Sequence, residues 1–274
     1  MTIVFRALSF MPLWMLHALG AVLGWLVFLV SKTYRQRFMA NATQAGLGAL
    51  EILPAVAAAG RLVAELPRLW MGRAVAIQWQ GAQHIDKALQ AGRGIVFLTP
   101  HLGCFEVTAQ AYAKRYGQQG KPMTVLYRPP RKSGLGALVG AARQRPGLHT
   151  APATLAGVKQ MLKALKHGDC VGVLPDQVPP QHQGLWTPFF GKPAYTMTLS
   201  ARLAQQTGAT VLIAWGQRKP WGSGYTVHVE PLDAMLSEDL ATATLQINQA
   251  MESLITQCPS QYLWGYDRYK QPRD

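Results

Sequence analysis

The stretch TPHLGCFE, residues 99–106, brings a histidine, a cysteine and a glutamate within six positions of one another. When a carboxylate accepts a hydrogen bond from one imidazole nitrogen, the other nitrogen becomes a better base, which suits deprotonation of an alcohol or amine acceptor. His101 and Glu106 are therefore candidate catalytic residues. The competing interpretation makes Cys104 a nucleophile activated by His101. For this cysteine we favour burial as a small apolar side chain.

The flanking sequence predicts that His101 lies at the end of a β-strand. Residues 94–99, GIVFLT, form an apolar run typical of a buried strand, and a helix is predicted to begin at residue 104 or 105. Asp176 follows the similar run CVGVL at 170–174. Sites in α/β sheets form at the carboxyl ends of strands, so Asp176 is a second candidate acid. A loop aspartate that caps backbone amides is the structural alternative.

A third predicted strand, 123–127, ends directly before Arg128, whose guanidinium suits holding a phosphate or stabilising an oxyanion. An ordinary surface charge is the alternative, because residues 87–166 contain thirteen Lys and Arg but one carboxylate, Glu106. This region carries +12 of the formal net charge of +14. A solitary acid among so many cations, five residues after His101, favours a specific role for Glu106.

A basic excess of this size implies an anionic partner: nucleic acid, a membrane surface, or an acidic protein or substrate. Nucleic acid is disfavoured, because no helix-turn-helix, zinc-finger, RRM or KH signature occurs and the aromatic residues do not alternate with the basic ones. Anionic lipid headgroups, an acidic carrier protein, or both are the predicted partners. The sequence contains no metal-ligand cluster, phosphate-binding loop or dinucleotide fingerprint, so neither a metal nor an organic cofactor is expected.

Residues 7–30 form an apolar run of twenty-four residues without Asp, Glu, Lys or Arg. About 20 such residues span a bilayer, so the run predicts one N-terminal transmembrane helix within an anchor of residues 1–36. A cleaved signal peptide and a buried core helix are the alternatives. One basic residue precedes the run and three follow it closely, which predicts a cytoplasmic location for residues 37–274.

Beyond the apolar run, short apolar segments alternate with longer amphipathic ones. This alternation predicts a single α/β domain with a mainly parallel central sheet flanked by helices. The predicted strands are 75–79, 94–99, 123–127, 170–174, 210–215 and 225–230. The predicted helices are 83–91, 104–116, 133–145, 154–167, 196–207 and 237–256. The Pro-rich stretch 175–196 is predicted to be an ordered loop, because it carries several aromatic residues.

Five stretches, in matching order along the chain, resemble the lipid A biosynthesis late acyltransferases, the lauroyl and myristoyl transferases of Gram-negative inner membranes. They are GIVFLTPHLGCFE, LYRPPRK, GVLPDQ, TPFFGKPAYTMTLSARLAQQTGATVL and PSQYLWGYDRYK. The His-x4-acid motif of that family corresponds to His101 and Glu106. The family usually has Asn-Trp directly before the glutamate, where this chain has Cys104 and Phe105.

The resemblance implies a glycerol-3-phosphate acyltransferase-like fold and a single-pass enzyme on the cytoplasmic face of the inner membrane. Such an enzyme would transfer a fatty acyl chain from acyl carrier protein to a hydroxyl of a lipid A precursor, with His101 as general base and Glu106 as its partner. Asp176 could share or replace the role of Glu106. A lysophospholipid or other glycolipid acyltransferase that uses acyl-CoA or acyl carrier protein is the alternative.

The same family stretches contribute candidate substrate-binding residues, which are cationic, amide-bearing or aromatic. They are Arg128, Arg131, Lys132, Gln177, Phe189 and Phe190. In this interpretation the cations hold phosphate or an acidic carrier, and the two phenylalanines line an acyl groove. Plain core packing is the alternative for the phenylalanines.

Overall fold

The computed structural model describes residues 2–127 and 145–273. Its strands are β1 (Ile77–Gln80), β2 (Ile95–Leu98), β3 (Met123–Tyr127), β4 (Leu148–Pro152), β5 (Cys170–Val173), β6 (Gly184–Phe189), β7 (Lys192–Met197), β8 (Thr210–Arg218) and β9 (Tyr225–Pro231). Its α-helices are α1 (Thr2–Ser9), α2 (Leu13–Val30), α3 (Lys32–Gln44), α4 (Ala49–Ala64), α5 (Leu66–Met71), α6 (Ala82–Gln90), α7 (Phe105–Arg115), α8 (Leu155–Lys166), α9 (Leu199–Thr207) and α10 (Leu240–Gln257).

Seven of these strands form one central sheet in the order β1-β9-β8-β2-β5-β3-β4, and β6 and β7 form a separate antiparallel hairpin. In the large sheet every neighbouring pair is parallel except β8 and β9. The strands β2 and β5 are adjacent and parallel. Their carboxyl ends therefore meet at one edge of the sheet, where residues 99–101 and 174–177 follow them.

Helices cover both faces of the sheet, because alternate residues of one strand enter two different hydrophobic clusters. Val96 and Leu98 of β2 belong to one cluster, and Ile95 and Phe97 belong to the other. Side chains alternate across a strand, so the two clusters lie on opposite faces. The predicted single α/β domain with a mainly parallel, helix-flanked sheet is confirmed for the described residues.

All six predicted strands are present, but three further strands were missed. The prediction of a loop for 175–196 is wrong where the β6–β7 hairpin forms, and β4 had no predicted counterpart. The hairpin turns through Phe190 and Gly191, both with positive φ, which is the backbone that a two-residue turn between antiparallel strands requires. The helix predicted at 133–145 lies almost entirely outside the described residues.

The N-terminal apolar run is interrupted, unlike the single helix predicted for residues 7–30. Helix α1 ends at Ser9 and α2 begins at Leu13, directly after Pro12. Proline lacks the N–H that continues a helix and disfavours the helical region for the residue before it, so the break falls here. By length and composition α2 is the one described helix that could cross a membrane.

Helix α2 packs closely against α4 through glycines. A Cβ placed on Gly60 would lie 1.9 Å from the carbonyl oxygen of Gly20, and one on Gly24 would lie 2.3 Å from that of Val56. These distances leave no room for a side chain, so the two helix backbones are in direct contact. The contact holds the apolar helix on the side of the α/β domain.

We expect Gly60→Val to destabilise this contact, because its side chain would force α2 away from α4. Overpacking at a close contact costs about 1–3 kcal/mol. The matched control is Ala59→Val, one residue earlier on the same helix at a partly buried position. Thermal unfolding in detergent measures both, and equal melting temperatures for the two variants would contradict the predicted role of Gly60.

Candidate active site

His101 lies in a short loop between β2 and α7, and a segment near the C-terminus fixes the backbone of this loop. The C-terminal segment, residues 259–264, donates the backbone N–H of Leu263 to the carbonyl of His101 at 3.1 Å, and the carbonyl of Gln261 accepts from Gly103 at 3.0 Å. Leu102 and Tyr262 form an antiparallel bridge. The His101 loop is therefore held in place from a segment about 160 positions later in the chain.

The structure brings His101 and Asp176 together. The imidazole Nδ1 donates to Oδ1 of Asp176 at 2.7 Å, and the backbone N–H of His101 donates to Oδ2 of the same carboxylate at 2.8 Å. Asp176 is buried, whereas the His101 side chain is 14% exposed. The buried carboxylate therefore fixes both the backbone and the ring of the histidine.

The other imidazole nitrogen is a hydrogen-bond acceptor. The side-chain amide of Gln177 donates from Nε2 to His101 Nε2 at 3.0 Å. Because Nδ1 carries the proton that bonds Asp176, Nε2 keeps its lone pair available. This is the tautomer that a general base needs.

Tyr262 completes the surroundings of Asp176, since its hydroxyl donates to Oδ2 at 3.2 Å. Burial alone would raise the pKa of Asp176. The charge of His101 and the hydrogen bonds from its ring and backbone outweigh burial and hold the pKa of Asp176 below its usual value. Asp176 is thus an ionised partner for the imidazole at neutral pH.

Glu106 does not form the expected hydrogen bond with His101: among the described residues, the imidazole nitrogens bond Asp176 and Gln177. The Glu106 side chain is buried in the first turn of α7 and accepts a hydrogen bond from the indole of Trp70 at 3.3 Å. The charge of Glu106 also acts on Arg145, which donates to the carbonyls of Leu69 and Trp70. Its described contacts therefore connect α7 to the end of α5.

Cys104 is completely buried in the hydrophobic cluster beneath α7. Burial, reinforced by the nearby charge of Glu65, raises the pKa of the Cys104 thiol well above its usual value. A buried thiol that stays protonated is a poor nucleophile. The structure therefore supports the interpretation of Cys104 as an apolar side chain.

Sequence analysis missed a buried ionic network directly behind the His101 loop. Glu65, which has no solvent exposure, accepts from the guanidinium of Arg218 at 2.6 and 2.9 Å and from the hydroxyl of Tyr225 at 2.9 Å. His17 of α2 lies 3.0 Å from the same carboxylate. Arg218 also donates to the carbonyl of Gly103 at 2.9 Å. The network therefore connects α2 to the loop that carries His101.

The network makes the fold sensitive to acid. Burial alone would raise the pKa of Glu65. The charge of Arg218 and the hydrogen bonds from His17 and Arg218 outweigh burial, so the pKa of Glu65 falls from an ordinary 4.5 to about 2. A carboxyl group with a lowered folded pKa stabilises the fold above its unfolded pKa and loses that contribution as the pH falls through the folded value. The contribution of Glu65 is therefore complete above about pH 4.5 and is lost towards pH 2.

We expect Glu65→Gln to lower the free energy of unfolding by about 3–5 kcal/mol at pH 7, because Arg218 would remain buried without its countercharge. The deficit should shrink as the pH falls from 4.5 towards 2, where wild-type Glu65 takes up a proton. Denaturant unfolding across this pH range measures it, with the exposed Glu238→Gln as control. A deficit that is constant with pH would refute the assigned pKa.

The remaining predicted site residues fall in three places. Gln177 contacts His101, as described above, whereas Arg128, Arg131 and Lys132 lie outside the described residues. Phe189 is buried in the core beneath the guanidinium of Arg268, at 4.8 Å, and its ring packs against Phe190 at 4.9 Å. The two phenylalanines therefore contribute to the core around the β6–β7 hairpin.

An apolar cavity lies elsewhere, beside His101. It is narrow, and its lining includes Phe97, Thr99, Phe105, Tyr112 and Leu174. The ring of Phe105 lies 4.9 Å from the imidazole of His101, so the cavity begins next to the histidine. The described residues contain no group of three or more His, Cys, Asp or Glu side chains placed to hold a metal ion.

A family model of bacterial lipid A biosynthesis acyltransferases matches residues 52–271, which include the His101–Asp176 pair and the C-terminal segment that holds it. The chain belongs to this family. The match covers four-fifths of the chain and most of both hydrophobic clusters of the sheet. It begins within α4 and therefore after the apolar helix α2.

Individual relatives of the chain are also lipid A biosynthesis acyltransferases. The chain is 29% identical to the lipid A biosynthesis lauroyltransferase of Escherichia coli over 206 residues, 73% of this chain and 65% of that protein. It is 28% identical to a lipid A biosynthesis acyltransferase of Haemophilus influenzae over 187 residues, 67% of this chain and 56% of that protein. The matches thus span less than two-thirds of the length of these relatives.

Proposed function

We propose that this protein is an O-acyltransferase that transfers a fatty acyl chain from acyl carrier protein to a hydroxyl of a lipid A precursor. The hydrogen-bonded pair of His101 and Asp176, in a chain of the lipid A acyltransferase family, carries the proposal. The pair supplies a base at Nε2, and the narrow apolar cavity beside it is the proposed entrance for an alkyl chain. A secondary acylation of lipid A needs both.

The proposed reaction uses His101 as a shuttle for one proton. Nε2 removes the proton from the acceptor hydroxyl as its oxygen attacks the carbonyl carbon of the thioester. The tetrahedral intermediate collapses, the carbon–sulfur bond breaks, and the leaving thiolate takes the proton from the imidazolium. Asp176 stabilises the transient charge on the ring at 2.7 Å. The products are an ester and the free thiol of the carrier.

The charged residues of the proposed site act on the anionic substrates. Arg128, Arg131 and Lys132 are proposed to bind the phosphates of the acceptor or the acidic carrier, as predicted from the sequence. Gln177 would release His101 Nε2 to the acceptor hydroxyl when the substrate enters. For the acyl chain we propose the cavity beside Phe105 in place of the predicted groove at Phe189 and Phe190, because Phe189 is enclosed by the core.

The reaction would take place at the cytoplasmic face of the inner membrane. Helix α2 is the element that supports membrane association, since its mean hydropathy is 2.1 and two-thirds of it is not buried by the protein. The basic surface suits the anionic lipids of that membrane.

A direct test supplies the purified full chain with either acyl carrier protein or coenzyme A as the acyl donor. The acceptors are a bisphosphorylated glucosamine disaccharide that carries 3-hydroxyacyl chains, and lysophosphatidic acid. Mass spectrometry of the products should show one added acyl chain on a 3-hydroxyl of the disaccharide, with the carrier-protein donor preferred. Transfer only from acyl-CoA to lysophosphatidic acid, or no transfer at all, would overturn the proposal.

A further inference from the structure

Helix α2 is in contact with the α/β domain along its entire length. At its first turn, the backbone of Trp14 lies against Gly222, where a Cβ would be 2.4 Å from the Trp14 nitrogen. At its middle, Gly20 and Gly24 contact α4. At its last turn, the ring of Phe28 packs edge-on against that of Phe38 at 5.4 Å. A helix attached in this way cannot extend away from the domain through a bilayer.

Ionisable side chains flank α2 near both of its ends. Arg61 donates to the carbonyl of His17 at 3.4 Å, and Arg35 donates to the carbonyl of Phe28 at 2.9 Å. The imidazole of His17 lies against the buried carboxylate of Glu65. If α2 stood across a bilayer in this conformation, some of these groups would enter the hydrocarbon, where an ionised side chain is costly.

The face of α2 that points away from the domain is exposed and apolar. Val22 is 66% exposed and Leu29 is 66% exposed, and the exposed side chains continue over the rest of this face with Trp14, Met15, Leu19, Leu23, Leu26 and Val30. Trp221, in the turn that contacts the start of α2, is 93% exposed. A large apolar surface with tryptophan at its edge is typical of contact with the membrane interface.

The charges around this face suit an anionic leaflet. The first fifty residues contain four basic side chains and no Asp or Glu. Arg6 and Lys32, which lie on either side of α2, are exposed. Positive charge at both ends of an apolar helix matches lipid phosphates along the surface of one leaflet, whereas a crossing helix would place its two ends at opposite surfaces.

We propose that α2 lies in the interface of one leaflet, parallel to the membrane surface, and that the protein is bound to the membrane from one side. This orientation replaces the single-pass span that the apolar run alone predicts. It also leaves the His17–Glu65–Arg218 network intact between the membrane-bound helix and the His101 loop. If the proposed function holds, the acceptor hydroxyl reaches His101 from within the same leaflet.

Depth measurements along α2 test the orientation without any need for turnover. Nitroxide labels are attached to M15C, V22C and L29C, which are one heptad apart, exposed, and on the same face of the helix. The three native cysteines are buried and do not compete for the label. The full chain is bound to vesicles of phosphatidylethanolamine and phosphatidylglycerol, and accessibility to oxygen and to a water-soluble nickel chelate gives the depth of each label. W221C reports on the turn, and H167C, at the opposite edge of the sheet from His101, is the control that should remain in water.

An in-plane helix places all three α2 labels at one depth, about 5–10 Å below the headgroups, with W221C also in contact with lipid. A crossing helix places V22C about 10 Å deeper than both of the others, since seven residues rise by that distance, and leaves W221C in water. The second pattern, or the absence of lipid contact at every label, overturns the proposal. If V22C does not fold, L19C and L26C provide the same comparison: equal shallow depths support the in-plane helix, and depths near the midplane overturn it. A negative acyl-transfer assay would not affect any of these readings.

Discussion

Replacement of His101 by alanine should lower kcat for acyl transfer by about 10²–10⁴-fold, which is the contribution of a general base. The variant keeps the backbone N–H that donates to Asp176 and the carbonyl that accepts from Leu263, so the loop should keep its position. Because the lost group acts on the reacting proton, KM for either substrate should change much less than kcat. Initial rates at varied donor and acceptor concentrations separate the two parameters.

The matched control is His167→Ala. His167 also pairs with an aspartate, Asp169, at 3.1 Å, but the His167 side chain is 80% exposed. His167 lies just before β5, at the opposite edge of the sheet from His101. This variant should keep wild-type kcat. Wild-type transfer by a folded His101→Ala protein would remove His101 from the mechanism.

Asp176→Asn should lower kcat by a similar factor of about 10²–10⁴, through the tautomer of His101. Oδ2 of Asp176 accepts two hydrogen bonds, from the His101 backbone and from Tyr262, so the oxygen of the new amide should occupy that position. Its NH2 group then faces His101 Nδ1 and donates to it. The imidazole must carry its proton on Nε2, where it can no longer accept one from the substrate.

Asp169→Asn is the corresponding control, because it changes the aspartate of the other His–Asp pair. Nitrogen-15 NMR of the imidazole gives a readout that a merely structural effect would not move, since it reports which ring nitrogen is protonated. We expect Nδ1–H in the wild type and Nε2–H in Asp176→Asn. An unchanged tautomer together with unchanged kcat would refute the role assigned to Asp176.

The sheet could be predicted from the sequence where the strands are buried on both faces. β2 and β5 are continuous apolar runs because helices cover both sides of them. Such runs can be recognised in the sequence without knowing which strands lie next to them. β4, LHTAP, and both strands of the β6–β7 hairpin carry prolines and are not continuous apolar runs, so the local sequence favours loops there. The antiparallel β9 could be located but not oriented, since the sequence does not give the direction of a strand in its sheet.

For the candidate site, the sequence located the residues at strand ends but not their partners. His101 and Asp176 meet because β2 and β5 are neighbours in the sheet, a fact that depends on the packing of the whole domain. The local spacing favoured Glu106, whose carboxylate instead accepts a hydrogen bond from the indole of Trp70. The Glu65–Arg218 pair joins residues 153 positions apart, and no motif connects them.

The pairing of residues 101–103 with 261–263 also bears on the order in which the molecule becomes active. A chain emerging from the ribosome presents His101 long before Tyr262 and Leu263 have been synthesised, and contacts of such long sequence separation form late in folding. Until then the histidine loop lacks its C-terminal hydrogen bonds, and Asp176 lacks the tyrosine donor. In the proposed in-plane orientation, the nascent protein would bind the membrane through α2 before it could react, so that the proposed chemistry would begin only once the enzyme is already at its lipid.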